Sequence, residues 1–350
     1  MFCPHSPACD GLTPDKDGAD YRAWKEGFVL GALRSQGIEK SIDEFISVEP
    51  NSRRRIVLSF IKNKSEVTLG FHAPRSHQIV QLETCLVSKP ELIRALPGVR
   101  ALLQYLAPKK IEGRVTLLSS NTGPDVTIED VKSPSPAARA ALAGAARQMD
   151  FARLTVNGET IALLREPLLK AGRANYTPPP GSFVQAVEQA ESAMAEKVSA
   201  ALKKHKVKRA ADLFSGAGAF ALRMAELCTV HAVESFEPAL SALQKAAQHT
   251  QGLKPVSVEK RDLFRRPLVP LELNSYDAII LDPPRQGAAA QVAELCKSKV
   301  RLIIYASCNP GTFARDAKNL LQAGFQLTEL TVIDQFLWSE HIELIAVFRK

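Results

Sequence analysis

From residue 210 to residue 348 the chain alternates short apolar runs with stretches of helical spacing, and few folds accept that rhythm. The runs 210–214, 230–234, 256–259, 276–281 and 302–306 are apolar and too short for helices, so each reads as a buried strand. Strands that alternate with helices pair in parallel, and the crossovers cover both faces of the sheet. Two closing runs, 326–333 and 342–348, complete the series. The expectation is an α/β fold with a doubly wound, mostly parallel seven-stranded sheet. In such sheets ligands bind beyond the carboxyl ends of the strands.

The chain before residue 183 lacks this rhythm. Residues 1–20 form an irregular arm carrying Cys3 and Cys9. A helix is expected over 21–36, with Trp24, Phe28, Val29, Leu30 and Leu33 as its packing face. Three arginines, Arg53 to Arg55, lead into strands 56–61 and 67–71, and His72, Arg75 and His77 follow on a loop. This basic stretch suits either phosphate contacts or a solvated, aggregation-blocking edge. Helices over 90–106 and 137–149 and hairpins 114–131 and 151–164 follow. The second hairpin turns at Asn157-Gly158, which supplies the positive φ angles of a type I′ turn. Residues 21–170 therefore read as a mixed α+β central domain, 171–182 as a Pro/Gly-rich linker, and 183–350 as the α/β domain, opening with a long helix over 183–204.

Charge narrows the partners. A formal net charge of +8 favours a polyanion such as RNA. No run approaches the roughly 20 apolar residues of a membrane span. The first residues carry no charged-then-apolar leader, so a cytoplasmic location without membrane attachment is expected. The six cysteines are irregularly spaced, which does not describe a disulfide framework. Cys3 and Cys9 near the terminus, with Cys85 as a third thiol, raise a metal or iron–sulfur site; reduced, unligated thiols are the plainer reading. Leu12 stands where a C-x2-C partner of Cys9 belongs.

Four stretches carry chemistry. In A-D-L-F-S-G-A-G-A-F (211–220) a strand ends at Asp212, and a loop with Gly216 and Gly218 opens a helix. Glycines let backbone approach a ligand, and Glu234, ending the next strand, suits two ribose hydroxyls. With Asp262 further on, and Ala221 in place of a third glycine, the pattern fits S-adenosylmethionine better than a dinucleotide. In L-D-P-P-R-Q-G (281–287) Asp282 faces the cleft on a rigid turn. Arg285 stands where amino-methyltransferases place a base-stacking aromatic, which disfavours an exocyclic nitrogen as acceptor. In I-I-Y-A-S-C-N-P-G-T a strand ends at Cys308; Asn309, Pro310 and Gly311 turn the chain, Thr312 is placed to cap the next helix and Gly324 to stop it. Near the C-terminus, D-Q-F-L-W-S-E-H-I-E (334–343) presents Glu343, with His341 on the same side if the stretch is a strand. A thiolate added to C6 of uracil makes C5 enolate-like and able to attack a methyl group, and a base must then remove the C5 proton. Cys308 and Glu343 are the residues for those tasks. A cytosine-C5 enzyme, or an RNA-binding or RNA-folding protein with secondary or lost catalysis, are the alternatives.

The last three of these stretches together resemble the RNA uracil-C5-methyltransferases, which make 5-methyluridine in tRNA and rRNA with S-adenosylmethionine. The resemblance is specific from Phe183 to Lys350 and continues more weakly back to Cys3. It implies a class I methyltransferase fold, an RNA partner, Cys308 as nucleophile and Glu343 as proton acceptor. It also implies donor contacts from Gln185, Phe214, Gly216, Glu234 and Asp282. The family commonly holds a [4Fe-4S] cluster on four cysteines; Cys3, Cys9 and Cys85 fall on three of those places and Leu12 on the fourth. Leu337 and Trp338 depart from the family pattern beside Glu343.

Overall fold

A computed structural model describes residues 18–73, 76–106 and 111–350. Cys3, Cys9, Leu12 and Arg75 lie outside the described residues. The chain begins with α1 (Gly18–Ser35) and β1 (Glu44–Ser47). A central unit follows: β2 (Arg55–Asn63), β3 (Glu66–His72), β4 (Ile79–Gln81), α2 (Pro90–Gln104), β5 (Ile111–Ser120), β6 (Gly123–Glu129), α3 (Pro136–Gln148), β7 (Arg153–Val156) and β8 (Glu159–Leu163). Its strands form one sheet in the order β4-β3-β2-β5-β6-β7-β8. The alternating apolar faces of β2, β5 and β6 pack on Leu92, Leu96 and Leu103 of α2 and Leu142 of α3. Asn157 (φ 46°) and Gly158 (φ 82°) make the expected tight turn between β7 and β8.

The stretch expected to be a plain linker begins inside a small hairpin, β9 (Leu169–Ala171) and β10 (Ala174–Tyr176). The α/β part then runs α4 (Glu188–Lys204), β11 (Arg209–Leu213), α5 (Ala221–Met224), β12 (Thr229–Glu234), α6 (Glu237–His249), β13 (Val256–Lys260), α7 (Pro270–Leu273), β14 (Ala278–Leu281), α8 (Ala289–Lys297), β15 (Leu302–Ser307), α9 (Pro310–Gln322), β16 (Gln326–Asp334) and β17 (Glu343–Arg349). Among the described residues the large sheet has the order β1-β16-β17-β15-β14-β11-β12-β13. Seven of its strands are those expected; the eighth, β1, pairs in parallel with β16 from far upstream. Only β17 runs against its neighbours β15 and β16. Period-two alternation divides the strands between two cores. Ile279, Leu281, Ile303 and Tyr305 meet α8, α9 and α1 on one face, while Ile280, Ile304, Ile345 and Val347 meet α4 on the other.

Three local expectations change. The helix expected over 183–204 starts only at Glu188: residues before it are extended, with Val187 bridged to Arg53 and the Ala186 carbonyl taken by Arg54 N–H at 2.8 Å. Asn309, not Thr312, caps α9, its Oδ1 accepting from Gly311 N–H and Thr312 N–H. The three arginines form a junction rather than a free phosphate face. Arg54 is buried, with Nη2 2.6 Å from Glu191 Oε2, and Arg223 holds the other oxygen at 2.8 Å. Arg55 donates to the Ser182 and Gly181 carbonyls, and Arg53 lies over the Phe336 ring. No helix among the described residues is long and apolar enough to cross a membrane.

Candidate active site

The sheet order creates a switch point. β12 and β13 lie on one side of β11, and the chain returns to place β14 on the other. The crevice there collects the glycine loop after β11, Glu234 at the end of β12 and Asp282 after β14.

On the β11–β12 side the backbone turns sharply. Phe214 (φ 64°), Gly216 (φ 53°) and Gly218 (φ 94°) all have positive φ. A Cβ on Gly218 would stand 2.5 Å from Leu243 Cδ1, so this glycine lets α6 close on the loop. A Cβ on Gly216 would meet nothing within 4 Å, so the loop keeps an open cradle there. Glu234 accepts hydrogen bonds from Gly216 N–H (3.1 Å), Ser235 N–H (2.7 Å), Ser235 Oγ–H (3.0 Å) and Phe236 N–H (2.9 Å). Phe214 and Phe264 pack with ring centroids 5.2 Å apart, and Asp262 Oδ1 turns the chain by accepting Phe264 N–H at 2.9 Å. Asp212 is fully buried, with the Ala221 N–H at the head of α5 as its backbone partner. Burial first, and then the charge of Asp282, raise its pKa well above the carboxylate range. These residues fit S-adenosylmethionine: an open glycine cradle, an anchored carboxylate, and buried acceptors suited to a cationic ligand.

On the other side three strand ends converge. Cys308 follows β15 and is half-buried. Because β17 is antiparallel, it begins where the parallel strands end; Leu344 pairs with Ser307, which brings Glu343 opposite Cys308. Glu343 is buried, and its pKa is pushed up to about 8 by burial and by Asp282, against a hydrogen bond from Gln335. Asp282 is pushed up to about 7 by burial, opposed by Gln185. Burial, Glu343 and Asp282 push the Cys308 thiol up to about 11, while Arg285 pulls it down. The D-P-P-R turn is fastened to the thiol loop, since the Arg285 carbonyl accepts from Asn309 Nδ2 (2.9 Å) and Thr312 Oγ1 (3.1 Å).

One residue in this network carries no role in the sequence reading. Gln335 Nε2 donates to Glu343 Oε1 at 3.0 Å and to Gln185 Oε1 at 3.1 Å, and Gln185 Nε2 reaches Asp282 Oδ2 at 3.5 Å. Two amides thus connect the two carboxyl groups. The signal was present inside D-Q-F, but an amide beside Glu343 has no meaning until the fold brings Gln185 to it. His341 does not share a strand face with Glu343, because the stretch before β17 is a turn; its ring meets Phe336 edge-on and its carbonyl accepts from Lys25. Leu337 is buried in the core and Trp338 has φ 60°. Cys85 is half-buried against the central core and its sulfur accepts from Ser88 Oγ at 3.1 Å. Among the described residues no group of three or more His, Cys, Asp or Glu is placed to hold a metal.

Comparison with known proteins gives the family from a family profile and from full-length relatives, and the fold from a solved structure. The tRNA (Uracil-5-)-methyltransferase profile matches residues 161–350. An uncharacterized RNA methyltransferase of Agrobacterium fabrum is 44% identical over 331 residues, covering 94% of this chain and 79% of that protein. A 23S rRNA (uracil(1939)-C(5))-methyltransferase of Shewanella is 31% identical over 373 residues, covering 99% of this chain and 81% of that one. In fold, the crystal structure of a Pyrococcus abyssi tRNA (uracil-54, C5)-methyltransferase with S-adenosyl-L-homocysteine superposes with a TM-score of 0.73, over 98% of this chain and 86% of that chain, at 22% identity. The chain belongs to the tRNA (uracil-5-)-methyltransferase family of S-adenosylmethionine-dependent RNA methyltransferases.

Proposed function

We propose that this chain methylates C5 of a uridine in tRNA or rRNA through a covalent bond between Cys308 and C6. The observation that carries the reading is the reversed strand β17, which sets Glu343 against the end of β15 where Cys308 stands. When bound, S-adenosylmethionine supplies an electrophilic methyl group; Gln185, Phe214, Gly216, Glu234 and Asp282 would hold it. Cys308 attacks C6 as its thiolate, and the C5=C6 electron pair becomes available at C5 for the new bond to carbon. Glu343 then takes the C5 proton, the C5=C6 bond re-forms, and the thiolate leaves. A carboxyl with a pKa of about 8 suits this task, because it takes and gives up a proton near neutral pH. The target base leaves its stack to reach a thiol set at a strand end.

Two relatives are named for C5 of a uracil in different RNAs, 23S rRNA and tRNA, which supports the atom more than the RNA. No step is assigned to an iron–sulfur cluster: the implied ligand set is one short, with Leu12 in the fourth place. The experiment is nucleoside mass spectrometry of unmodified tRNA and rRNA transcripts incubated with the protein and S-adenosylmethionine. 5-Methyluridine is the expected product. 5-Methylcytidine instead, or no modified pyrimidine, would refute the reading.

A further inference from the structure

The turn between Asp334 and Glu343 is gripped from outside the cleft by α1. Lys25, in the middle of that helix, is fully buried. Its Nζ lies 2.7 Å from Asp334 Oδ1 and donates to the Phe336 carbonyl at 3.0 Å and the His341 carbonyl at 2.6 Å. Those carbonyls stand at the two ends of the turn, so one ammonium with three donors closes it. One helical turn earlier, Tyr21 Oη donates to Asp334 Oδ2 at 2.6 Å and accepts the Trp338 N–H at 2.9 Å. Trp338, at φ 60°, is a bulky residue in the left-handed region, which persists only where the surroundings hold it. Val29 and Leu33 already pack α1 into the core, so its attachment does not require a buried ion pair, which stabilises little on its own.

We propose that Lys25 and Tyr21 are positioning residues for catalysis, holding the turn so that Gln335 and Glu343 face Cys308. The inference rests on the reading of Glu343 as the base. It separates the two halves of the reaction. Cys308 stands immediately after β15, and its attack on C6 does not depend on the turn. The later step does: the C5–H bond breaks, its electron pair forms C5=C6, the proton goes to the Glu343 carboxylate, and the C6–S bond breaks with sulfur leaving as thiolate. Loosening the turn slows this step and leaves the enzyme covalently joined to methylated RNA.

The test uses the full chain with tRNA and rRNA transcripts made with C5-tritiated uridine. Two variants are compared with wild type: Tyr21→Phe, which keeps the ion pair, and Lys25→Met combined with Asp334→Leu, which leaves neither charge buried alone. The readouts are tritium release, RNA-bound protein on a denaturing gel, and S-adenosylmethionine affinity. Tritium release is expected to fall on the order of 10-fold for Tyr21→Phe and 100-fold for the double variant. The covalent complex should accumulate, with donor affinity within about twofold of wild type. Unchanged release, or release and complex formation falling together in proportion to the folded fraction, would overturn the inference. If wild type itself neither releases tritium nor forms a complex, the reading of Cys308 and Glu343 fails first and takes the inference with it.

Discussion

Glu234 and Glu343 stand at strand ends on the same edge of one sheet, yet their surroundings are opposite. Glu234 accepts four hydrogen bonds, three of them from backbone N–H groups. Glu343 is buried, accepts one hydrogen bond among the described residues, and is held near pKa 8. The half of the cleft proposed to hold the donor fixes Glu234 with backbone N–H groups. The thiol-facing half withholds such donors, so its carboxyl exchanges a proton near neutrality. On the proposed reading, the same side-chain chemistry serves binding in one place and proton transfer in the other, and the backbone decides which.

Substitutions can break this contrast from either side. The largest effect is expected for Cys308→Ala, which should lower turnover on the order of 10⁴-fold or more and abolish the covalent RNA complex, with donor affinity unchanged. Glu343→Gln should lower turnover on the order of 10²–10⁴-fold and trap the complex on a denaturing gel. Normal turnover without a trapped complex would remove Glu343 from the role. The donor half predicts the converse pattern. Gly216→Ala places a methyl group in the open cradle and should weaken S-adenosylmethionine binding about 10-fold by calorimetry, while stability falls only by the roughly 1 kcal/mol of a left-handed alanine. Weakened folding with normal donor affinity would contradict the cradle.

Acidity sharpens the comparison further. Thiolate Cys308 and carboxylate Glu343 are both deprotonated forms with raised pKa values, of about 11 and about 8, so turnover should rise steeply from pH 6 to 8. The stability sign is the reverse. With Glu343 protonated in the folded state and ionised when unfolded, wild type loses stability as pH rises from the ordinary glutamate range to about 8. Glu343→Gln escapes that loss, so its stability relative to wild type should improve by up to about 1.4 kcal/mol per pH unit over that window in denaturant titrations. A difference that stays flat with pH would mean the carboxyl is not raised.

Much of the α/β half was legible because its strands are continuous apolar runs and its reactive residues sit beside turn formers, as Cys308 does before Asn309 and Pro310. What stayed hidden depends on partners distant in sequence. β1 has four residues, none fully buried, and becomes a strand only because β16 offers a free edge. Residues 183–187 carry apolar spacing compatible with a helix, but Arg54 captures the Ala186 N-terminal neighbour's carbonyl and the Ala186 carbonyl itself, holding the chain extended across the cleft. Lys25 looks like a solvent-facing helical lysine until Asp334 and two carbonyls from the far end of the chain surround it. Local pattern announced the strands and the thiol; the groups proposed to aim the base come from elements that meet only in the folded chain.

The most direct measurement is tritium release from RNA labelled at C5 of uridine, with S-adenosylmethionine, comparing wild type with Cys308→Ala. Release by wild type and none by the variant is the predicted result, since the C5 hydrogen leaves only after sulfur has added to C6. Release by both would contradict the covalent route, and release by neither from RNA lacking the modification would contradict uridine C5 as the methylated atom.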